Sequence, residues 1–402
     1  MRTGEIRQLV QLKPTELNAT RRRLSACHDI DDLRRAGRRL IPRPVFDYVD
    51  GAADEELAVR ANRAAFQRWR FLPRLLTDVD TVDTAAGVLG QTQPIPLALS
   101  PTGYTRMMHQ AGETAVARSA YRHGLAYTLS TMATTSIEDV ARAVPDKARL
   151  WFQLYLHRDE GLNKDLVSRA DAAGYQALVV TLDVVVPGHR TRDVRNGLVI
   201  PPALTARTLA SIAARPGYWT RMLRGPALEF ANLPDLNDAT TVASSASKFD
   251  ASITWATIEA LRERWPRSLL LKGPLGPDDT VRAVRAGVDG IVLSNHGGRQ
   301  LDRTVPPADL LPAVRAAAGP DATILVDSGI MHGADIAVAV ALGADAAMVG
   351  RAYLYGLMAG GEQGVDRALD LLGAQYTRTL QLLGVTSTAE LRATGRDRIT
   401  RD

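Results

Sequence analysis

Cysteine is nearly absent. Cys27 is the only one in 402 residues, so no disulfide forms within the chain, and a reducing compartment, the cytoplasm, is expected. Long apolar runs are also missing. No stretch is long enough to span a bilayer, although peripheral membrane contact stays open. The first twenty residues hold no apolar core of the kind that a secretory signal carries. Nor is there a large excess of one charge. The net charge is +5, and most of the positive charge is dispersed arginine. The densest clusters, Arg21-Arg22-Arg23 and Arg38-Arg39, read as solvated helix faces rather than as a nucleic-acid patch. What is plentiful is core material: 46% of the residues are hydrophobic. The length allows two ordinary domains or one large α/β barrel.

A repeated grammar runs from about residue 95 onward. A helix of small residues ends at a glycine, and an apolar strand follows. Gly124 precedes Ala126 to Ser130, Gly174 precedes Ala177 to Asp183, Gly287 precedes Gly290 to Ser294, and Gly343 precedes Ala346 to Gly350. Glycine suits the left-handed position just past a helix. Strands without polar alternation suit a parallel sheet covered on both faces. Further strands are expected at Pro96 to Ser100, Leu150 to Leu154, Leu269 to Lys272 and Thr323 to Asp327. Eight βα units favour a closed TIM (β/α)8 barrel over an open sheet. Thr135-Ser136-Ile137-Glu138 resembles a capping box. Residues 1–90 read as a helical extension packed on a barrel of residues 91–390. Residues 198–250 read as a long insertion after strand four, a lid or flexible loop, and 391–402 as a tail.

The most informative stretch is Ser294-Asn295-His296-Gly297-Gly298-Arg299-Gln300-Leu301-Asp302. It follows the apolar run Gly290 to Leu293, where a strand ends. The histidine can take a proton near neutral pH, and the arginine can hold a carboxylate by two parallel hydrogen bonds. The glycines let backbone approach a ligand closely. Together they point to chemistry on a small acid. In a barrel the active site lies at the carboxyl ends of the strands. Every expected strand here delivers a polar group or a glycine there: Ser100 and Thr102-Gly103; Ser130; Gln153 and Tyr155; Thr181 and Asp183; Lys272; Ser294; Asp327 and Gly329; Gly350-Arg351. Such a ring suits a large polar cofactor with a small substrate above it.

On these motifs the chain, from about residue 25 to about residue 390, resembles the FMN-dependent 2-hydroxy-acid oxidase and dehydrogenase family. Within that family it looks like the bacterial L-lactate dehydrogenases. The resemblance implies bound FMN and oxidation of an (S)-2-hydroxy acid, L-lactate foremost, to the 2-oxo acid. It implies His296 as base, Asp183 as its carboxylate partner, and Arg299 and Arg190 as ligands of the substrate carboxylate. Tyr155 and Tyr48 match active-site tyrosines. Lys272 matches the cation near flavin N1 and O2, which raises the electron affinity of the ring. Ser130, Gln153, Thr181 and Ser294 match flavin hydrogen-bonding positions. Thr102 and Gly103 match the turn beside N5, and Asp327, Gly329, Gly350 and Arg351 match the ribityl-phosphate site. The family often forms tetramers, so a homo-oligomer is expected.

Three positions depart from the family pattern. Met132 stands where many relatives carry tryptophan, and its flexible apolar chain fits a methyl or larger substituent. Met331 stands where many carry arginine, which shifts work at the phosphate to Arg351. Gly103 replaces an alanine common in oxidases. The electron acceptor is a quinone, a carrier protein or oxygen, with a dehydrogenase favoured and a lactate 2-monooxygenase left open. Two other readings compete: a tailoring oxidase of a bulkier or peptide-derived hydroxy acid, and an FMN-dependent isomerase. The isomerase needs pyrophosphate and metal ligands rather than two arginines aimed at a carboxylate. Blander readings also exist. Asp183 suits a helix cap, Lys272 a surface charge, and both tyrosines an ordinary core.

Overall fold

Runs such as Ala177-Leu178-Val179-Val180 carry no polar residue because both of their faces are covered. The computed structural model describes residues 16–197, 210–211, 213–233 and 249–402. Eight strands close a parallel barrel in chain order. They are β1 (Leu97–Leu99), β2 (Ala126–Ser130), β3 (Leu150–Leu154), β4 (Ala177–Thr181), β5 (Ser268–Gly273), β6 (Gly290–Leu293), β7 (Thr323–Val326) and β8 (Ala346–Val349). β8 pairs back onto β1, with Val349 opposite Leu99. The expected TIM barrel is therefore the fold, and each strand lies where its apolar run predicts.

Side chains alternate across a strand, and that parity builds two cores. Outward residues such as Leu129, Phe152, Val180 and Leu271 pack under the helices. Inward residues Ala98, Ala126, Trp151, Ala177, Val179, Leu270, Val292, Leu325 and Met348 fill the barrel. Burying each large one stabilises the fold by about 1.5–3 kcal/mol. The hairpin of Ala86–Val88 and Gln91–Gln93 closes the floor, with Val88 joining the inner core. Two residues further along most strands, the inward positions turn polar.

The N-terminal extension carries helices α1 (Ala19–Ser25), α2 (Ile30–Leu40), α3 (Arg43–Asp50) and α4 (Leu57–Gln67). α4 lies against the signature loop, and its start is capped from far away. Asp302 accepts from the backbone amides of Glu55, Leu57 and Ala58 at 3.1, 3.2 and 2.7 Å. Residues 391–402, read as a tail, include a strand. Ile399–Arg401 pairs antiparallel with Trp69–Phe71, so the chain's end is stitched to the extension. The capping box also moves by one residue. Ser136, not Thr135, caps the helix Ile137–Arg142 by accepting from Asp139 N at 3.0 Å. Much of the expected lid, 198–209, 212 and 234–248, lies outside the described residues. Its described part includes the helix Pro216–Leu223.

Candidate active site

Strand ends and the loops after them surround a cavity of about 1000 Å³ at the carboxyl face of the barrel. His296 reaches it from the loop after β6. The backbone there is left-handed for three residues running, with φ of 58°, 65° and 76° at His296, Gly297 and Gly298. Glycine is required at the last two. A Cβ on Gly297 would lie 2.7 Å from Arg351 Nη1, and one on Gly298 would lie 2.7 Å from Val59 N. Asn295 fixes the turn from below. Its amide exchanges two 2.7 Å hydrogen bonds with the amide of Asn62 on α4.

The imidazole Nδ1 lies 3.1 Å from Asp183 Oδ1, and Nε2 lies 3.4 Å from the hydroxyl of Tyr155. Asp183 stands behind the ring, just past β4. Burial pushes the His296 pKa down, and the positive charges of Lys272 and Arg299 add to that. Together they outweigh the pull of Asp183, so the value falls below the ordinary 6.5. Burial alone would raise the Asp183 carboxyl, but the imidazole and Lys272 hold it below its usual range. The pair at neutral pH is thus an ionised carboxylate behind a neutral imidazole. A neutral imidazole can accept a proton.

Two guanidiniums converge beside this pair. Arg190 Cζ and Arg299 Cζ sit 5.3 and 5.0 Å from the centre of the Tyr48 ring, within cation–π range. Arg299 Nη1 donates to the carbonyls of Tyr48 and Gly51 at 2.6 and 3.1 Å. Burial and the neighbouring Arg190 push the Arg299 pKa down to about 10, which still leaves it cationic at neutral pH. No carboxylate pairs with Arg299 among the described residues. Arg190 has one partial partner, Asp193 at 3.3 Å. Two half-buried cations with one partial carboxylate partner between them form an anion site.

Deeper in the cavity, Lys272 is buried with Nζ 3.0 Å from Ser294 Oγ and 3.6 Å from Asp327 Oδ2. Asp327 also accepts from Ser294 Oγ at 3.0 Å and Ser100 Oγ at 3.1 Å. Ser130 Oγ donates to Gln153 Oε1 at 3.0 Å, across the register that sets these two residues side by side. Gln153 Nε2 and Thr181 Oγ1 are buried and have no partner among the described residues. A buried polar atom left unpaired costs about 1–3 kcal/mol. Such atoms at the strand ends fit the heteroatom edge of an isoalloxazine ring. Thr102 Oγ1 bonds Tyr353 Oη at 2.7 Å, and a Cβ on Gly103 would stand 3.0 Å from Met132 Cβ.

At the far end, Gly329 has φ of 100°, and Gly350 heads the helix Arg351–Gly360. A helix N-terminus offers unpaired amides to a phosphate. The Arg351 side chain is largely engaged already. It donates to the carbonyls of Val49, Gly297 and Gly51 at 2.9, 2.8 and 2.8 Å. Its guanidinium, expected at the phosphate, is thus already taken up by protein carbonyls. Met331 lines the same end without charge.

All the singled-out residues thus meet at one place. Asp183, Gln153 and Ser294 form its backing, and the others line it. Sequence reasoning missed Asn62, Asp193 and the cap made by Asp302. For Asp193 a signal existed, since it lies three residues after Arg190 on one short helix. For Asn62 no local signal exists, because its partner is 233 residues away.

Comparison with known proteins agrees with this geometry. The family model described as FMN-dependent dehydrogenase matches residues 37–398. A putative L-lactate dehydrogenase of Mycobacterium tuberculosis is 47% identical over 390 residues, covering 97% of this chain and 94% of the relative. The (S)-mandelate dehydrogenase of Pseudomonas putida is 40% identical over 360 residues, covering 89% and 90%. The crystal structure of a monotopic membrane protein, (S)-mandelate dehydrogenase, superposes with a TM-score of 0.88 at 38% identity, covering 94% of this chain and all of that one. No helix among the described residues is long and apolar enough to cross a membrane. The chain belongs to the FMN-dependent dehydrogenase family and oxidises (S)-2-hydroxy acids with FMN.

Proposed function

We propose that the protein oxidises L-lactate to pyruvate and passes the electrons to a quinone or carrier protein rather than to oxygen. The observation that carries the chemistry is the His296 imidazole, 3.1 Å from Asp183, beside the guanidiniums of Arg190 and Arg299. Arg190 and Arg299 bind the substrate carboxylate and so fix the orientation of Cα, which supplies positioning. His296 Nε2 takes the proton that the hydroxy acid gives up. Asp183 stabilises the imidazolium that results, at the 3.1 Å contact to Nδ1. The Tyr155 hydroxyl, its pKa held well above the ordinary value by burial, remains protonated and donates toward the reacting oxygen. Bound FMN supplies a two-electron acceptor. Ser130, Gln153, Thr181 and Lys272 would hold its ring, and Gly329, Gly350 and the amide of Arg351 its phosphate.

Lactate is favoured by the resemblance to relatives named for it, and Met132 gives a methyl group an apolar neighbour. The dehydrogenase reading has the same support. A homo-oligomer in the cytoplasm, with peripheral membrane contact, completes the proposal. Anaerobic mixing of the flavin-loaded protein with L-lactate tests the core of it. Loss of flavin absorbance is expected, and an unchanged spectrum would refute it. Oxygen uptake, peroxide and reduction of a quinone dye then separate dehydrogenase from oxidase and monooxygenase.

A further inference from the structure

One buried carboxylate takes no part in the chemistry above. Glu113 lies in the first turn of helix α5 (Gly112–Arg122) and is fully buried. No cation pairs with it among the described residues. Its oxygens accept instead from the backbone amides of Thr105 and Thr134 at 3.2 and 2.8 Å. They also accept from the hydroxyls of Thr134 and Thr135, each at 2.8 Å. Burying a carboxylate is expensive unless its hydrogen bonds are made. Here the donors come from two different loops, the one after β1 and the one after β2.

The same loops are drawn together elsewhere. Tyr104 N donates to the Met132 carbonyl at 2.9 Å, and Arg106 N to Thr134 Oγ1 at 3.2 Å. The returning arm of the insertion joins them. The Arg106 guanidinium bonds the carbonyls of Pro226 and Ala227, and the Tyr104 hydroxyl bonds that of Leu228 at 2.9 Å. Ala231 N donates to the Ala133 carbonyl at 3.0 Å. Each of the three segments contributes apolar lining to the cavity, among it Tyr104, Met132 and Phe230. The rings of Tyr104 and Phe230 lie 4.9 Å apart. The polar lining is already assigned to the carboxylate and the proton. This apolar lining is suited to receive the substituent on Cα.

We infer that Glu113 is a positioning residue for side-chain selectivity. It holds Tyr104, Met132 and Phe230 at the spacing that decides which 2-hydroxy acids fit. The inference rests on the reading of the site given above. Its test uses the FMN-loaded enzyme and the variants Glu113→Ala and Glu113→Gln, with kcat/KM for L-lactate, L-2-hydroxybutanoate and L-2-hydroxyoctanoate. Oxalate, which offers carboxylates and no substituent, is titrated in parallel by flavin absorbance.

In Glu113→Ala the lactate-to-hydroxyoctanoate ratio shifts by about tenfold or more, carried by KM, as expected when an apolar pocket changes its fit by a methylene or two. Oxalate affinity stays unchanged. Glu113→Gln keeps the amide contacts but must reverse the threonine hydroxyls, so it shifts the ratio in the same direction and by less. An equal loss on all three acids, or an unchanged ratio, overturns the inference whatever happens to the melting temperature. Should Glu113→Ala fail to fold or to hold flavin, Tyr104→Phe carries the test. It removes only the bond to Leu228, and an unchanged ratio there overturns the inference as well. A wild-type enzyme that binds oxalate but turns over none of the acids defeats the underlying reading instead.

Discussion

The two ends of the barrel are built from the same strands, and they obey opposite rules. At the floor, Ala126, Trp151, Ala177, Leu270 and Val292 point inward and leave almost nothing polar to satisfy. Two residues on, the inward positions are Thr128, Gln153, Val179, Lys272 and Ser294, and the last turn of several strands is polar. Unpaired buried polar atoms lie on Thr128 and Gln153 among these positions, and on Thr181, the next inward residue of its strand. The inward floor layer is finished as folded, apart from Gln93 Nε2 on the hairpin beneath it, whereas the rim is completed by what binds there. Stability and chemistry are therefore segregated along each strand, and substitutions at the two ends are expected to fail in different ways.

The largest effect is expected at the rim. His296→Asn keeps the loop's backbone and should still bind FMN, but the rate of flavin reduction by L-lactate falls by about 10³–10⁴-fold. Stopped-flow absorbance under anaerobic conditions measures this, and near-normal bleaching would remove the base assignment. The floor breaks differently. Leu270→Ala lowers unfolding free energy by about 2–5 kcal/mol, read from denaturant titration, while turnover per bound flavin stays near wild type. A floor variant that lost turnover without losing stability would dissolve the distinction.

Smaller effects sharpen the comparison. Burial holds the His296 pKa below 6.5, so the acid limb of kcat/KM should fall below that pH. Asp183 is the group that pulls this value upward. Asp183→Asn therefore moves the acid limb to still lower pH and slows turnover by about 10²-fold. A limb that moved upward would contradict the direction of the coupling. Thr181→Val has the least effect. The free protein is unchanged or slightly stabilised, because an unpaired hydroxyl is removed. FMN affinity falls by about one hydrogen bond, 0.5–1.5 kcal/mol, in a fluorescence titration.

Much of this arrangement was legible in the sequence. Apolar runs of a few residues, four of them entered through a glycine, located the barrel strands, because a covered parallel strand tolerates no polar alternation. Polar residues at the ends of those runs located the cavity, because a barrel exposes one end of every strand to one place. What escaped depends on distant pairing. The bond between Asn62 and Asn295, the three amides gathered by Asp302, and the strand that joins 399–401 to 69–71 each link segments more than 200 residues apart. The orientation of Arg351 escaped for a related reason. Its sequence neighbours advertise a phosphate site, but the carbonyls that engage it come from α3, from Gly51 just after it, and from the signature loop.

The left-handed turn under His296 has a consequence for how the enzyme accommodates different acids. Arg351 forbids bulk at one glycine and α4 forbids it at the next, so the proton acceptor is bolted to the scaffold from two sides. Arg190 is mounted otherwise, on a five-residue helix with 26% of its side chain open to solvent. Any give needed by an unusually long or branched guest is thus taken up by the carboxylate clamp. A change of guest is therefore expected to alter KM before kcat.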